Sequence, residues 1–484
     1  MQEIPMDLPT KQPRSLYLLS LIELLERFGF YSVQALLVLY LTKVFLFSDI
    51  KAYELFSAYS ALIYITPIFG GYLADKILGF QKAIILGSSL YLLGYFALAS
   101  LSPVLFYPAL TLLIMGNGFF KSSVSSLLGT FYGEHDQRRD SGFTIFYMGI
   151  NMGALLAPII CTYVAITYGW QYGFALPGLI MLCNTIFCII TFKKFGPHGQ
   201  LPHPAIFGRF INKLYLVGAL LIIIFLINQL IENALFVNHT LFAFCIFIAL
   251  AFMIYAFRET PVQRNKLLAL LVLMLFAIIF WALCMQFFTS IVLFTERNIN
   301  RQFFGWVIPT GMFSSLIGFF VILLSPCFSL LWMRLSKTRW NLSTTMKFAC
   351  GLFLIGANFF VLALGSYLGN DTGRVAMGWL LLGYFLFVSG ELCLSPIGLA
   401  TVTKLAPKKL VGALIGVWFL TIAIGYAIAG RIAALGHMPT ETNLIVTNAV
   451  YGSLFTHIGL VAILCGFFLV LLTPKLSNMM EENR

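Results

Sequence analysis

The sequence predicts an all-α polytopic membrane protein with fourteen transmembrane helices, grouped six, two and six. Of its 484 residues, 60% are hydrophobic and only 10% are charged, whereas a soluble domain carries ~45–50% apolar and ~25% charged residues. The apolar residues run in blocks such as Leu214–Leu230 and Leu267–Phe280, which lie within the longer runs 212–231 and 267–294, long enough to cross ~30 Å of hydrocarbon as helix. Lysine and arginine fall alternately at the ends of those blocks. So few charges cannot cover a soluble surface, which excludes a water-soluble enzyme, a disordered chain and a secreted disulfide scaffold. A transmembrane β-barrel is excluded too, because its strands alternate over ~10 residues.

The first apolar run, 16–43, follows a polar, proline-containing start. It is too long for a leader core and carries Glu23, Glu26 and Arg27, so it is expected to remain as a span. Runs 52–74, 82–101, 104–130, 142–167 and 171–192 complete a first set of six. The polar stretch 193–212 separates them from runs 212–231 and 237–257. The basic segment Arg258–Lys266 then leads into 267–294, 304–333, 345–368, 375–402, 411–434 and 450–473. The expected organisation is an N-terminal six-helix bundle (1–193), a linker with an inserted helical hairpin (194–266) and a C-terminal six-helix bundle (267–484). With the N-terminus placed inside, 22 of the 30 Lys and Arg fall on the inner side, six on the outer side, and Arg27 and Lys121 within spans. That bias predicts both termini in the cytoplasm. It accounts for the net charge of +12 without nucleic acid. Nine scattered cysteines with no CxxC spacing predict no disulfide and no metal site.

The informative residues are the ionisable ones inside spans, since a charge in hydrocarbon needs compensation. Five lie deep: Glu23, Glu26 and Arg27 in the first span, Lys121 in the fourth and Glu391 in the tenth core span. Glu23, Glu26 and Arg27 stand at i, i+3 and i+4, on one helical face. Static buried ion pairs are one reading. The other is a site for a charged solute, a proton relay, or both, since a buried glutamate that loses its cationic partner takes up a proton more readily. Gly116-Asn117-Gly118-Phe119-Phe120-Lys121 lacks phosphate-loop spacing and sits within an apolar span, so it predicts no nucleotide site. Gly70, Gly71, Asp75 and Lys76 mark the inner end of the second span, where small residues permit close helix approach.

These residues also carry a resemblance. Glu23-Leu-Leu-Glu26-Arg27-Phe28-Gly-Phe30-Tyr31 resembles the ExxERFxYY signature of the proton-dependent oligopeptide transporters, a branch of the major facilitator superfamily. Gly70–Lys76, Gly116–Lys121, Arg139–Gly153, Ser389–Gly398 and Trp418-Phe419-Leu420 resemble further motifs of the same family, in order along the chain. The resemblance implies the major facilitator fold with an inserted hairpin and uptake of di- and tripeptides driven by a proton gradient across the cell inner membrane. It implies no enzymatic activity, no cofactor beyond the proton gradient, and a monomer whose partners are peptide, protons and lipid. It assigns proton coupling to Glu23, Glu26, Arg27 and Lys121, and the inner loop motif to Gly71, Asp75 and Lys76. Arg27 and Lys121 would hold the peptide carboxylate; Glu391, with Asn151, would hold its ammonium. Tyr31, Tyr64, Tyr147, Trp281, Gln286, Ser395, Trp418 and Phe419 complete the implied substrate site. The chemistry agrees: bases on one half and an acid on the other clamp the two ends of a zwitterion, and aromatic walls tolerate varied side chains.

There are departures. Phe30 stands where the signature has tyrosine, and Ser32 where glycine is usual. Gln34 and Met285 occupy the positions of an arginine and an acid that pair across the outer gate in many members, and Ile317-Gly318 replaces an Asn-Pro pair. Losing the gate partners together avoids a stranded buried charge. A same-fold facilitator of another small solute (nitrate, an amino-acid derivative or a peptide-like drug) is the alternative that the missing pair leaves open.

Overall fold

A computed structural model describes residues 11–133, 136, 138–200, 210–339, 341–407, 409–438 and 443–481. Arg209, Lys408 and Arg484, counted above on the inner side, lie outside these residues. The first six spans are α1 (Arg14–Lys43), α2 (Asp49–Leu73), α3 (Phe80–Ala99), α4 (Pro103–Gly129), α5 (Arg139–Thr167) and α6 (Trp170–Phe192). A hairpin follows, α7 (Phe210–Glu232) and α8 (Ala234–Phe257). The seventh core span is broken into α9 (Pro261–Cys284) and α10 (Ser290–Arg297), and the rest are α11 (Ser315–Leu335), α12 (Thr344–Leu368), α13 (Met377–Leu405), α14 (Val411–Ala434) and α15 (Leu444–Met480). Fourteen spans result, thirteen of them long and apolar enough along their described length. Local chemistry sets several starts: the Ser48, Thr260, Ser343 and Asn443 side chains cap α2, α9, α12 and α15, each accepting an otherwise unpaired backbone N–H.

Two expected spans differ in detail. Residues 302–307 do not begin a helix but form a short hairpin, β1 (Gln302–Phe303) against β2 (Trp306–Val307). Phe304 and Gly305 between them both take positive φ, 47° and 81°, the pattern of a tight turn matched to strand twist. The run 267–294 is interrupted by a 3₁₀ turn, Met285–Phe288, a hydrophobic stretch whose break periodicity alone does not reveal. Gln286 holds that break: its amide donates to the carbonyls of Ala282 and Ala429 and accepts from Ser290.

The packing repeats between the two sets of six. In the first, α1 packs on α5 and α6, α3 on α4 and α6, and α2 on α4; in the second, α9 packs on α14 and α15, α12 on α13 and α15, and α11 on α13. The sets meet along two seams, α2 with α14 and α5 with α11. The hairpin lies beside the first seam, α7 against α4 and α8 against α2, α9 and α14.

Both seams are tight at the end of the bundle away from the chain termini. There Gly430 abuts Tyr53 and Ser57, and Gly311 abuts Thr162 and the Ala35 carbonyl. Two ion pairs join the halves at this distal end. Lys43 meets Glu296 at 2.5 Å, and Arg297 grips both oxygens of Asp49 at 2.6 and 2.7 Å. Glu296 also accepts from Thr310 at 2.5 Å and lies 3.4 Å from Arg301. Toward the terminal end the seams part: Ile68, Phe69 and Tyr72 of α2, and Tyr147 and Met148 of α5, are exposed, and Gly412 and Gly416 of α14 have nothing opposite them. Gln34 and Met285 are buried between the halves, and the Gln34 amide reaches only Ser60, at 3.5 Å. The distal lock therefore rests on pairs at the span ends rather than on these two positions. Changing Asp49→Asn and Glu296→Gln together is expected to cost the closed distal end on the order of 1–2 kcal/mol, given charge-assisted bonds at a partly exposed site. Maleimide labelling of a cysteine placed at Ser57 should then accelerate roughly tenfold; an unchanged rate would show that the pairs do not hold this end.

Candidate functional site

The charged residues of α1 and α4 form one buried network. Glu23 and Glu26 are fully buried, and the Lys121 side chain is about one-third exposed, at 30%. Arg27 donates from Nε to Glu26 Oε2 at 2.5 Å and from Nη2 to Glu26 Oε1 at 2.6 Å, a two-pronged pair. Its Nε also lies 3.7 Å from Glu23 Oε1, and its guanidinium covers the Phe30 ring at 4.4 Å. Lys121 donates to the same Glu23 oxygen, Oε1. The two acids thus differ: both oxygens of Glu26 are bonded, while Glu23 Oε2 is buried without a partner among the described residues. That oxygen takes no part in the ion pairs or hydrogen bonds of the network.

Asn117 completes the network, a residue the sequence reading passed over. Its Oδ1 accepts from Arg27 Nη2 and from the Tyr91 hydroxyl, both at 3.0 Å, and its Nδ2 donates to the Ile63 carbonyl at 2.7 Å. Asn117 and Lys121 are four apart on α4, facing Arg27 and Glu23, themselves four apart on α1; that matched spacing was the available signal. Gly116 and Gly118, on either side of Asn117, allow the approach. A Cβ on Gly116 would strike Tyr91, and one on Gly118 would meet Thr66. Gly70 rests directly on the Gly118 backbone, and Gly71 on Ser122. Asp75 pairs with its neighbour Lys76 at 3.0 Å on the surface.

On the opposite half, Glu391 of α13 has no hydrogen-bond or ion-pair partner among the described residues. It lies within electrostatic reach of Tyr31, Tyr64, Tyr147 and Tyr426. Tyr31 lies within electrostatic range of Arg27 as well as Glu391, which brings the α1 cation and the α13 acid near one ring. Tyr64 stacks on Tyr426 across the α2–α14 seam, with centroids 5.6 Å apart, and this pair is where that seam closes. Tyr426 also escaped the sequence reading, lost among 21 tyrosines. Ser395 follows Glu391 by one turn and is half-buried. Phe419 is exposed.

Other expected residues are placed differently. Asn151 is buried, with Nδ2 bound to the Tyr147 carbonyl of its own helix. Trp281 is buried against Gly425, with its indole N–H unpaired. Trp418 is wedged against Gly398. Gln286, committed to the helix break, is fully buried.

The comparisons with known proteins fit this geometry. The POT family model matches residues 81–453. The chain belongs to the POT family. Dipeptide and tripeptide permease A of Salmonella typhimurium is 35% identical over 480 residues, covering 98% of this chain and 94% of that protein. The protein of that name from Erwinia pyrifoliae is also 35% identical, covering 98% and 96%. A crystal structure of a POT peptide transporter in complex with sulfate superposes with a TM-score of 0.84 at 30% identity, covering 98% of both chains. A POT transporter in complex with 5-aminolevulinic acid superposes with a TM-score of 0.83 at 26% identity, covering 96% and 97%. The matched residues include α4, which supplies Asn117 and Lys121 to the buried network.

Lys121→Ala removes one member of the network and leaves Glu23 leaning on Arg27 alone. The expected loss is roughly 1–3 kcal/mol, below that of a fully buried pair because Lys121 is partly exposed. Adding Glu23→Gln should recover most of it. Thermal unfolding in detergent checks this as a double-mutant cycle; additive losses would contradict the pairing.

Proposed function

We propose that this chain is a proton-coupled symporter that imports di- and tripeptides by alternating access. One arrangement carries the reading: a cation saturated by acids, beside an acid with a free buried oxygen, shares the surroundings of Tyr31 with a carboxylate of the other half that has no partner among the described residues. A peptide zwitterion needs a cation for one end and an anion for the other. Arg27, with Lys121, receives the carboxylate; Glu391 receives the ammonium; Tyr31, Tyr64 and Tyr147 form the wall between.

The proton and the carboxylate compete for the same bases. With Glu23 ionised, Lys121 and Arg27 are neutralised by Glu23 and Glu26. A proton on Glu23 Oε2 discharges that acid and leaves one unit of positive charge for the peptide carboxylate. Within the α1–α4 network the peptide carboxylate then offsets the charge of the proton, while the peptide ammonium offsets Glu391, so the loaded form carries one more positive charge across than the empty form. An inward potential adds ~2.3 kcal/mol per charge per 100 mV. The Lys and Arg bias supports an inner-membrane protein with both termini cytoplasmic, in which case the open terminal end is the inward-facing one.

The reported complex of a relative with 5-aminolevulinic acid supports a second substrate class: a small molecule carrying a free amine and a carboxylate at peptide-like separation fits the same two-ended clamp. In proteoliposomes with an imposed inward-acid gradient, labelled dialanine should accumulate, and 5-aminolevulinic acid should compete with it. No accumulation of any di- or tripeptide would refute the reading. Glu23→Gln and Glu26→Gln should each abolish accumulation while retaining counterflow exchange. Glu391→Ala should lower uptake of peptides with a free N-terminus at least tenfold and affect N-acetylated peptides far less; equal losses would contradict the ammonium role.

A further inference from the structure

Helix α2 contains Pro67 within its span. Proline has no N–H, so the carbonyl four residues earlier, that of Ile63, loses its helical partner, and the helix becomes easier to bend there. That carbonyl is not left bare. Asn117 of α4 donates to it at 2.7 Å, while the Thr66 hydroxyl, 3.5 Å from it, bonds better to the Ile114 carbonyl at 3.1 Å. The other end of the same amide accepts from Arg27 and Tyr91. One buried side chain therefore spans the α1 cation and the break in α2. The segment of α2 beyond the break carries Ile68, Phe69 and Tyr72, which are exposed at the parted end of the seam.

We propose that Asn117 is a positioning residue that couples the state of Arg27 to the bend of α2 at Pro67. This rests on the transport reading above, in which Arg27 passes between Glu26 and the substrate carboxylate. With Arg27 on Glu26, two donors on Oδ1 hold the Asn117 amide in place, and its Nδ2 is fixed on the Ile63 carbonyl. When Arg27 turns to the peptide, one donor is withdrawn. Donors and acceptors on one amide strengthen each other, so its hold on Ile63 weakens and the segment of α2 beyond the break, at the terminal end, is free to swing. Gly70 and Gly118, in backbone contact one turn below, form a smooth bearing with no side chain between the helices. Occupancy of the binding site is thereby transmitted to the α2–α14 seam without any contact between peptide and gate.

The test uses the full chain in proteoliposomes, reading counterflow exchange and proton-driven accumulation of one labelled dipeptide. Exchange by the unmutated protein keeps a failure of the transport reading distinct from a failure of this proposal. Asn117→Ala should lower accumulation at least tenfold while exchange falls less than threefold. Pro67→Ala returns an N–H to the Ile63 carbonyl and stiffens α2. It should lower Vmax several-fold at unchanged KM, and adding Asn117→Ala to it should lower accumulation less than twofold further. Should Asn117→Ala fail to reach the membrane, Pro67→Ala carries the test by its Vmax-against-KM split. Equal loss of accumulation and exchange in Asn117→Ala, a double variant whose losses simply multiply, or an unchanged Vmax in Pro67→Ala would overturn the proposal.

Discussion

A charge placed in hydrocarbon must be answered by another charge or by a proton, and the architecture of this protein is arranged around that requirement. Five ionisable residues lie deep in the bundle. Four of them, Glu23, Glu26, Arg27 and Lys121, answer one another in a network about the α1–α4 contact. The fifth, Glu391, faces them from the other half with no partner of its own among the described residues. Desolvation offsets much of the attraction in such pairs, so the network is a poor device for holding helices together and a good one for exchanging partners. The free oxygen on Glu23 and the unanswered carboxylate of Glu391 are the two openings through which a proton and a cationic group enter.

Bringing these side chains together depends on how closely the backbones approach. Gly70 on Gly118, Gly87 on Gly116 and Gly153 on Arg27 are contacts that a methyl group would prevent. In a membrane, where lipid is as apolar as leucine, such close packing supplies much of the helix association. It also sets the registry that puts Asn117 opposite Arg27 and Lys121 opposite Glu23. The same principle, repeated in the second half by Gly351 against Gly390, gives the two sets of six helices matching partners.

Closure at the distal end is an electrostatic matter of a different kind. The pairs Lys43–Glu296 and Asp49–Arg297 sit at span ends, where water shares the cost of the charges and their exchange is easy. Deeper in, Tyr64 and Tyr426 close the seam with a stacked aromatic pair. A lock made of water-accessible ion pairs above an aromatic layer opens in steps, and none of its members needs to lie as deep as Gln34 and Met285.

The sequence by itself determined the solvent of this protein, the number and order of its spans, the family to which its motifs assign it and the identity of its buried charges. These follow from run length, composition and residue spacing within one helix, which are local properties. It also carried the i, i+4 spacing of Asn117 and Lys121, but nothing local says that an amide on α4 faces a proline break on α2. Only the tertiary structure decided which carboxylate oxygen is left free, that Gln286 holds a helix break, and which ion pairs close the distal end. Each of these is a contact between residues tens to hundreds of positions apart, fixed by the approach of whole helices, and helix approach is set by packing that no single stretch of sequence contains.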